Sequence, residues 1–266
     1  MQSLKSRESR SISLSVVTVT AFESERLRRT LKSLVGLSSA IESVIVAPKD
    51  DHFSGVIAHE ILGNTPITLT EVIDDHKGIY PAMNKGIESA HGKYILFLNA
   101  GDEVLDPLLL LANIEAIIEI QPEWAILGCL LDSEVAYSTY SSMALRFLRQ
   151  EPGSYVSHQS VVVRKTAIQN LGKFNTRLTI AADTHMTMKL TQKFSPLLLD
   201  GIAIKVEKGA TVTKSNRRSR FETIFAVLLS GRSTNQFVAL INILVKEVNF
   251  LLRKLKKSYY VCKGRL

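Results

Sequence analysis

Between residues 14 and 120 the chain switches four times between short apolar, β-branched runs and amphipathic stretches. Residues 14–20, 41–47, 67–73 and 94–98 read as buried strands. Residues 23–35, 53–62, 80–90 and 106–120 read as helices, the first with Leu27, Leu31 and Leu34 at helical spacing. Pro81 is tolerated in a first helical turn, and Asp106 followed by Pro107 is a cap and first position. Four strand–helix repeats predict an α/β fold whose parallel sheet is covered on both faces. Ligands of such sheets bind beyond the carboxyl ends of the strands. Function is therefore expected after Thr20, after Ala47, around residues 74–80 and after Leu98.

The remaining sequence is less regular. Residues 124–131 and 159–163 read as strands, 182–194 as a helix and 197–206 as a further apolar segment. Residues 132–157 are polar and aromatic and are expected to form a loop over the site. From residue 221 the pattern is helical and amphipathic, ending in Arg253, Lys254, Lys256 and Lys257. The predicted organisation is a polar tail over 1–12, an α/β domain over 13–205 and a basic helical region over 206–266.

With 266 residues, 45% hydrophobic and 22% charged, the chain is sized for one large domain or a domain with an appendage. Those proportions exclude a disordered, collagen-like or disulfide-scaffold protein. Two cysteines, Cys129 and Cys262, exclude a cysteine-built zinc site. Residues 201–266 carry 14 Lys/Arg against 3 Asp/Glu, a net of +11, whereas residues 1–200 carry 19 against 22, a net of −3. This asymmetry predicts a local anionic partner for the C-terminal region. An amphipathic segment with terminal cations, and a second cluster at Arg217, Arg218 and Arg220, suits either an anionic membrane surface or packing on the domain with a solvated charged face. Nucleic acid is not the expected partner, because the cations are not interleaved with stacking aromatics. The polar N-terminus lacks the apolar run of a signal peptide, and the apolar stretch over 237–245 is shorter than the roughly 20 residues of a bilayer span. The expected location is cytoplasmic, with peripheral attachment to the inner face of the cytoplasmic membrane.

Three segments carry candidate chemistry. The first, residues 74–86, ends a strand and opens a helix. There Gly78 permits close backbone approach, Lys77 can pair with a phosphate, and the helix start offers amide donors to an anion. The same stretch also reads as a solvated loop and cap. The second, Asn99-Ala100-Gly101-Asp102, follows a hydrophobic strand. Oxygen ligands there suit Mg2+ or Mn2+ bridging a diphosphate, and the residue types equally suit a polar turn. The third comprises His158-Gln159 and Ala181-Ala182-Asp183. Asp183 stands where a helix begins, as an N-cap or, with an acceptor hydroxyl in reach, as a base. His158 reads as a site-lining or structural histidine, and His185 is assigned no role.

In order and spacing, Lys77 to Gly86, Leu98 to Asp102, His158-Gln159 and Ala181 to Asp183 resemble glycosyltransferase family 2, of GT-A fold. The resemblance is strongest to its bacterial polysaccharide branch with colanic-acid-type enzymes, and it covers residues 13–205. It implies a GT-A-like, Rossmann-like, mostly parallel sheet flanked by helices, with the C-terminal amphipathic helices as an extension. By the same resemblance, Thr20, Lys77, Gly78, Asn84, Asn99 and Asp102 bind a nucleotide-sugar donor. Asp102 also holds Mg2+ or Mn2+, His158 lines the acceptor side, and Asp183 is the catalytic base of an inverting transfer. The implied acceptor is a polyprenyl-linked saccharide in surface polysaccharide assembly. The chain departs from the pattern at Ala47-Pro48, where an Asp ends the second strand, and at His76 and Pro81, both Asp in the motif. Asp50 or Asp51 could replace the first. These departures leave a second reading, a non-catalytic nucleotide-sugar-binding or scaffold protein of the same fold.

Overall fold

The structure, a computed structural model, describes residues 12–75, 77–131, 135–137, 148 and 156–207, and beyond these 222, 223, 225, 226 and 229. In chain order the elements are β1 (Leu14–Val19), α1 (Ser24–Leu34), β2 (Ile41–Pro48), α2 (His52–Leu62), β3 (Thr68–Asp74), α3 (Ile79–Ser89), β4 (Tyr94–Phe97) and β5 (Glu103–Val104). There follow α4 (Pro107–Ile120), β6 (Trp124–Leu131), β7 (Val135–Tyr137), a 3-10 turn (His158–Ser160), β8 (Val161–Arg164), α5 (Lys165–Asn170), α6 (Ala182–Lys193) and β9 (Leu197–Val206).

All nine strands join one sheet in the order β3-β2-β1-β4-β8-β6-β9-β5, with β7 on the outside of β6. The four strands separated by helical crossovers, β3, β2, β1 and β4, are parallel. Beyond β4 the pairing becomes mixed: β8 runs antiparallel to both β4 and β6, β9 is parallel to β6, and β5 is antiparallel to β9. The parallel arrangement that the repeats predict thus holds for the first half of the sheet. Residues 159–163, expected as one strand, divide into the 3-10 turn and β8. The turn sets His158 and Gln159 at the strand's entry rather than within its ladder.

The strand residues are apolar because both faces of the sheet are covered. Leu14 and Val16 enter one cluster with Leu27, Leu31 and Leu34 of α1 and Leu110 of α4. Val17 enters the other, with Met83 and Ile87 of α3 and Ala182 and Met186 of α6. The strand period of two sends neighbours to opposite layers, and each helix covers them with its apolar stripe. Asp106 caps α4 by accepting from the Leu109 N–H at 2.9 Å, and Pro107 occupies the first turn, as predicted. Ala226, in the expected basic extension, is fully buried in the second cluster. The tail over 1–11, His76, most of the expected loop over 132–157 and most of the basic region lie outside the described residues.

Candidate active site

The carboxyl ends of β1 and β4, the entry to β8 and the start of α6 meet at one rim. Asp183 is the second residue of α6; the cap position expected of it is held by Ala181. Its Oδ2 lies 3.1 Å from His158 Nδ1, and its Oδ1 accepts from the Thr184 N–H at 2.7 Å and the Tyr80 hydroxyl at 3.1 Å. Tyr80 also donates to the carbonyl of Ile180 at 2.6 Å. On the far side of the imidazole, His158 Nε2 lies 3.2 Å from Asn99 Nδ2. A continuous chain Asn99–His158–Asp183–Tyr80 therefore crosses the rim, joining residues separated by up to 103 positions. Burial works to raise the Asp183 carboxyl. The His158 ring, the Thr184 N–H and the Tyr80 hydroxyl outweigh it and hold the group below the usual carboxylate range. Asp183 keeps 25% of its side chain exposed at the rim. Burial, and then the Asp183 charge, push the Tyr80 hydroxyl far above its ordinary value, so it is a hydrogen-bond donor throughout the physiological range.

Asp102 has a different environment. It is 3% exposed. Its Oδ2 accepts from the Asn99 N–H at 3.0 Å and Gln159 Nε2 at 3.1 Å, and its Oδ1 accepts from the Glu207 N–H at 3.0 Å. Burial raises the carboxyl above its usual range despite these donors. The loop that carries it is pinned from α1: Thr30 Oγ1 accepts from the Gly101 N–H at 2.9 Å, and Ser33 Oγ from the Val104 N–H at 2.9 Å. Gly101 has φ +105°, and a Cβ there would stand 1.9 Å from Glu207 Oε2. Glycine is thus required for the backbone conformation, and any side chain there would also have to push aside the Glu207 carboxylate and Arg26. Glu207 in turn binds Arg26 and Arg29, each at 2.5 Å.

These residues do not fit a divalent metal. Three of the roughly four acceptor positions of the Asp102 carboxylate already meet interior donors, and a cation would compete with them, each buried donor left unmet costing about 1–3 kcal/mol. Asn99 and Gly101 add no second carboxylate. Among the described residues, no group of three or more His, Cys, Asp or Glu side chains could hold an ion together.

The other predicted residues are distributed around the rim. Gly78, with φ +106°, is the residue preceding the first turn of α3 and needs glycine for that backbone conformation. Lys77 beside it is 72% exposed and stands 3.7 Å from Asp75. Thr20 follows β1 and is 4% exposed; its Oγ1, like Asn99 Oδ1, has no hydrogen-bond partner among the described residues. Both are buried polar atoms at the strand ends. Asn84 is engaged elsewhere: its amide donates to the Phe174 carbonyl and accepts from the Phe174 N–H, both at 2.9 Å. It ties α3 to the turn before α6, with one amide hydrogen and one oxygen lone pair engaged there. Asp51 does not replace the Asp missing at Ala47-Pro48, because it caps α2 and accepts from the Phe22 N–H at 2.7 Å.

Sequence reasoning missed four contributors. Tyr80 and Gln159 lie inside the motifs, in Lys-Gly-Ile-Tyr and His-Gln, and adjacency to assigned residues was their signal. Glu207 and Glu222 had none. Glu222 accepts from the Thr179 N–H and Ile180 N–H, both at 2.7 Å, and from Thr179 Oγ1 at 2.6 Å. It thereby holds the strand of loop that leads into Asp183.

Residues 15–171 match the family model described as glycosyl transferase family 2. A PGL/p-HBAD biosynthesis glycosyltransferase of Mycobacterium tuberculosis (strain ATCC 25618 / H37Rv) is 28% identical over 114 residues, 41% of this chain and 42% of that protein. The matched segment is thus less than half the length of that relative. Among solved structures, S. aureus TarS 1-349 in complex with UDP-GlcNAc superposes with a TM-score of 0.66 at 15% identity, covering 87% of this chain and 71% of that one. The mannosyltransferase PcManGT from Pyrobaculum calidifontis, in complex with GDP-Man and Mn2+, gives 0.62 at 14% identity, covering 86% and 68%. At such identities the likeness is one of fold.

Proposed function

The chain belongs to glycosyltransferase family 2, and on that footing we propose that it transfers a sugar from a nucleoside-diphosphate donor to a saccharide hydroxyl with inversion, through a catalytic domain over 13–205. The observation that carries this reading is the Asn99–His158–Asp183–Tyr80 chain, which ends on a partly exposed carboxylate. Asp183 takes the acceptor hydroxyl's proton as that oxygen attacks the anomeric carbon, and the bond to the diphosphate breaks. Tyr80 and His158 hold the carboxylate in place and ionised. Thr20 and Asn99 end strands beneath the same rim, their Oγ1 and Oδ1 without hydrogen-bond partners among the described residues, and Gly78 and Lys77 border it. Neighbours of like fold captured with UDP-GlcNAc and with GDP-Man support a nucleotide sugar as donor.

Surface polysaccharide assembly on a polyprenyl-linked acceptor, at the inner face of the cytoplasmic membrane, agrees with the basic C-terminal composition. Among the described residues no helix is long and apolar enough to cross a membrane. The alternative, a scaffold that binds nucleotide sugars without turning them over, draws on Ala47-Pro48 and on Asp51 being committed to its cap.

Asp183→Asn keeps the shape and removes the base. The expected result is a folded protein with donor binding retained and transfer reduced about 100- to 10,000-fold. Transfer at the wild-type rate by the folded variant would remove Asp183 from the mechanism. Failure of the wild-type chain to turn over any sugar donor that it binds would favour the scaffold.

A further inference from the structure

Asp102 is the one carboxylate in the Asn99-Ala100-Gly101-Asp102 turn, and it faces inward. Its two oxygens meet three N–H donors contributed by Asn99, Gln159 and Glu207 at 3.0–3.1 Å. These donors come from three separate stretches of the chain, so displacing the carboxylate would loosen the ends of β4 and β9 and the turn before β8 together. At 3% exposure Asp102 presents almost nothing to the rim, whereas Asp183 on the same rim is 25% exposed. Asn99 contributes a neutral amide whose nitrogen is set against His158, and Gly101, at φ +105°, carries no side chain that could add a carboxylate. Both nitrogens of His158 are engaged, one by Asn99 and one by Asp183. Lys77, by contrast, is an exposed cation whose pairing with Asp75, at 3.7 Å, is loose.

We propose that this chain binds the diphosphate of its donor without a divalent cation, Asp102 serving as an internal staple and protein cations such as Lys77 meeting the phosphate charge. The inference rests on the nucleotide-sugar reading above and fixes the kind of site that reading requires.

The test uses the full chain and a panel of UDP, GDP, dTDP and ADP, titrated calorimetrically in excess EDTA and again in excess Mn2+, with Mn2+ alone titrated separately. The expected result is one nucleotide whose dissociation constant agrees within about threefold between the two conditions. Mn2+ alone should show no site that Asp102→Asn abolishes. Asp102→Asn should lower the melting temperature equally in EDTA and in Mn2+, and Lys77→Ala should weaken the nucleotide by a similar factor in both. Tightening of about tenfold or more by Mn2+, lost in Asp102→Asn, would overturn the proposal and leave the glycosyltransfer reading intact. Binding of no nucleotide under either condition would overturn that reading and this inference with it.

Discussion

At the scale of single residues, two aspartates that look alike in sequence do opposite work. Each ends or begins an element at the sheet rim, and each has three or more hydrogen-bond contacts. Asp102 is sealed by its partners, while Asp183 stays open and is held ionised. A base must be deprotonated, so turnover falls as pH drops through the Asp183 value, which lies below the ordinary aspartate figure of about 3.9. Removing the imidazole with His158→Ala takes away the largest of the effects holding that value down and leaves burial, which acts the other way. The acid limb of the kcat/KM profile should then move upward, with kcat falling about tenfold or more. A pH–rate profile of the variant checks this, and an unmoved limb would show that His158 does not hold Asp183. The place of Asp183 at the start of a helix was readable from the sequence, but the inward turn of Asp102 was not. Its donors belong to residues 159 and 207, and no local spacing announces which distant amide will fill a carboxylate.

Among the elements, the legible ones were those whose signals are local. Asp106 and Pro107 announced α4, and the four apolar runs announced β1 to β4, because capping and period are short-range properties. The turn at His158–Ser160 was read as strand, since Gln159 to Val163 shows only an apolar run. The helix starting at Ala182 was expected, but not what steadies it. Glu222 lies in a segment whose composition suggested a separate appendage, yet it grips Thr179 and Ile180, whose carbonyl also receives Tyr80. Glu222→Ala removes three hydrogen bonds to that approach. It should cost about 1–3 kcal/mol of stability and lower kcat while leaving the KM for the donor near its wild-type value. Glu222→Gln, which retains one acceptor oxygen, should recover part of the loss. Steady-state kinetics beside thermal melts separate this from simple destabilisation, for which both variants would lose rate only in proportion to unfolded protein.

For the whole molecule, the uneven charge is the feature that the sequence disclosed most directly. A body of net −3 carries a C-terminal portion of net +11. An attraction to anionic headgroups falls off within a Debye length of about 10 Å at 0.1 M salt. The chain should therefore sediment with vesicles containing phosphatidylglycerol at low salt and be released as ionic strength rises. Vesicles of phosphatidylcholine should retain much less. Equal retention by both would argue against an electrostatic docking surface. The mixed half of the sheet was less legible for a related reason of scale. Pairing beyond β4 depends on strands far apart in sequence, such as β6 with β9, and no turn signal joins them.

The staple at Asp102 also bears on how the protein is made. The ribosome delivers β1 to β4 first, and their parallel ladder can close as they emerge. Asp102, however, is then a carboxylate whose future neighbours at Gln159 and Glu207 have not yet been synthesised. Until the end of β9 leaves the exit tunnel, the rim remains unfinished, and a nascent chain halted before residue 207 would carry the assigned motif residues up to Asp183 without the Glu207 N–H that helps to seal Asp102.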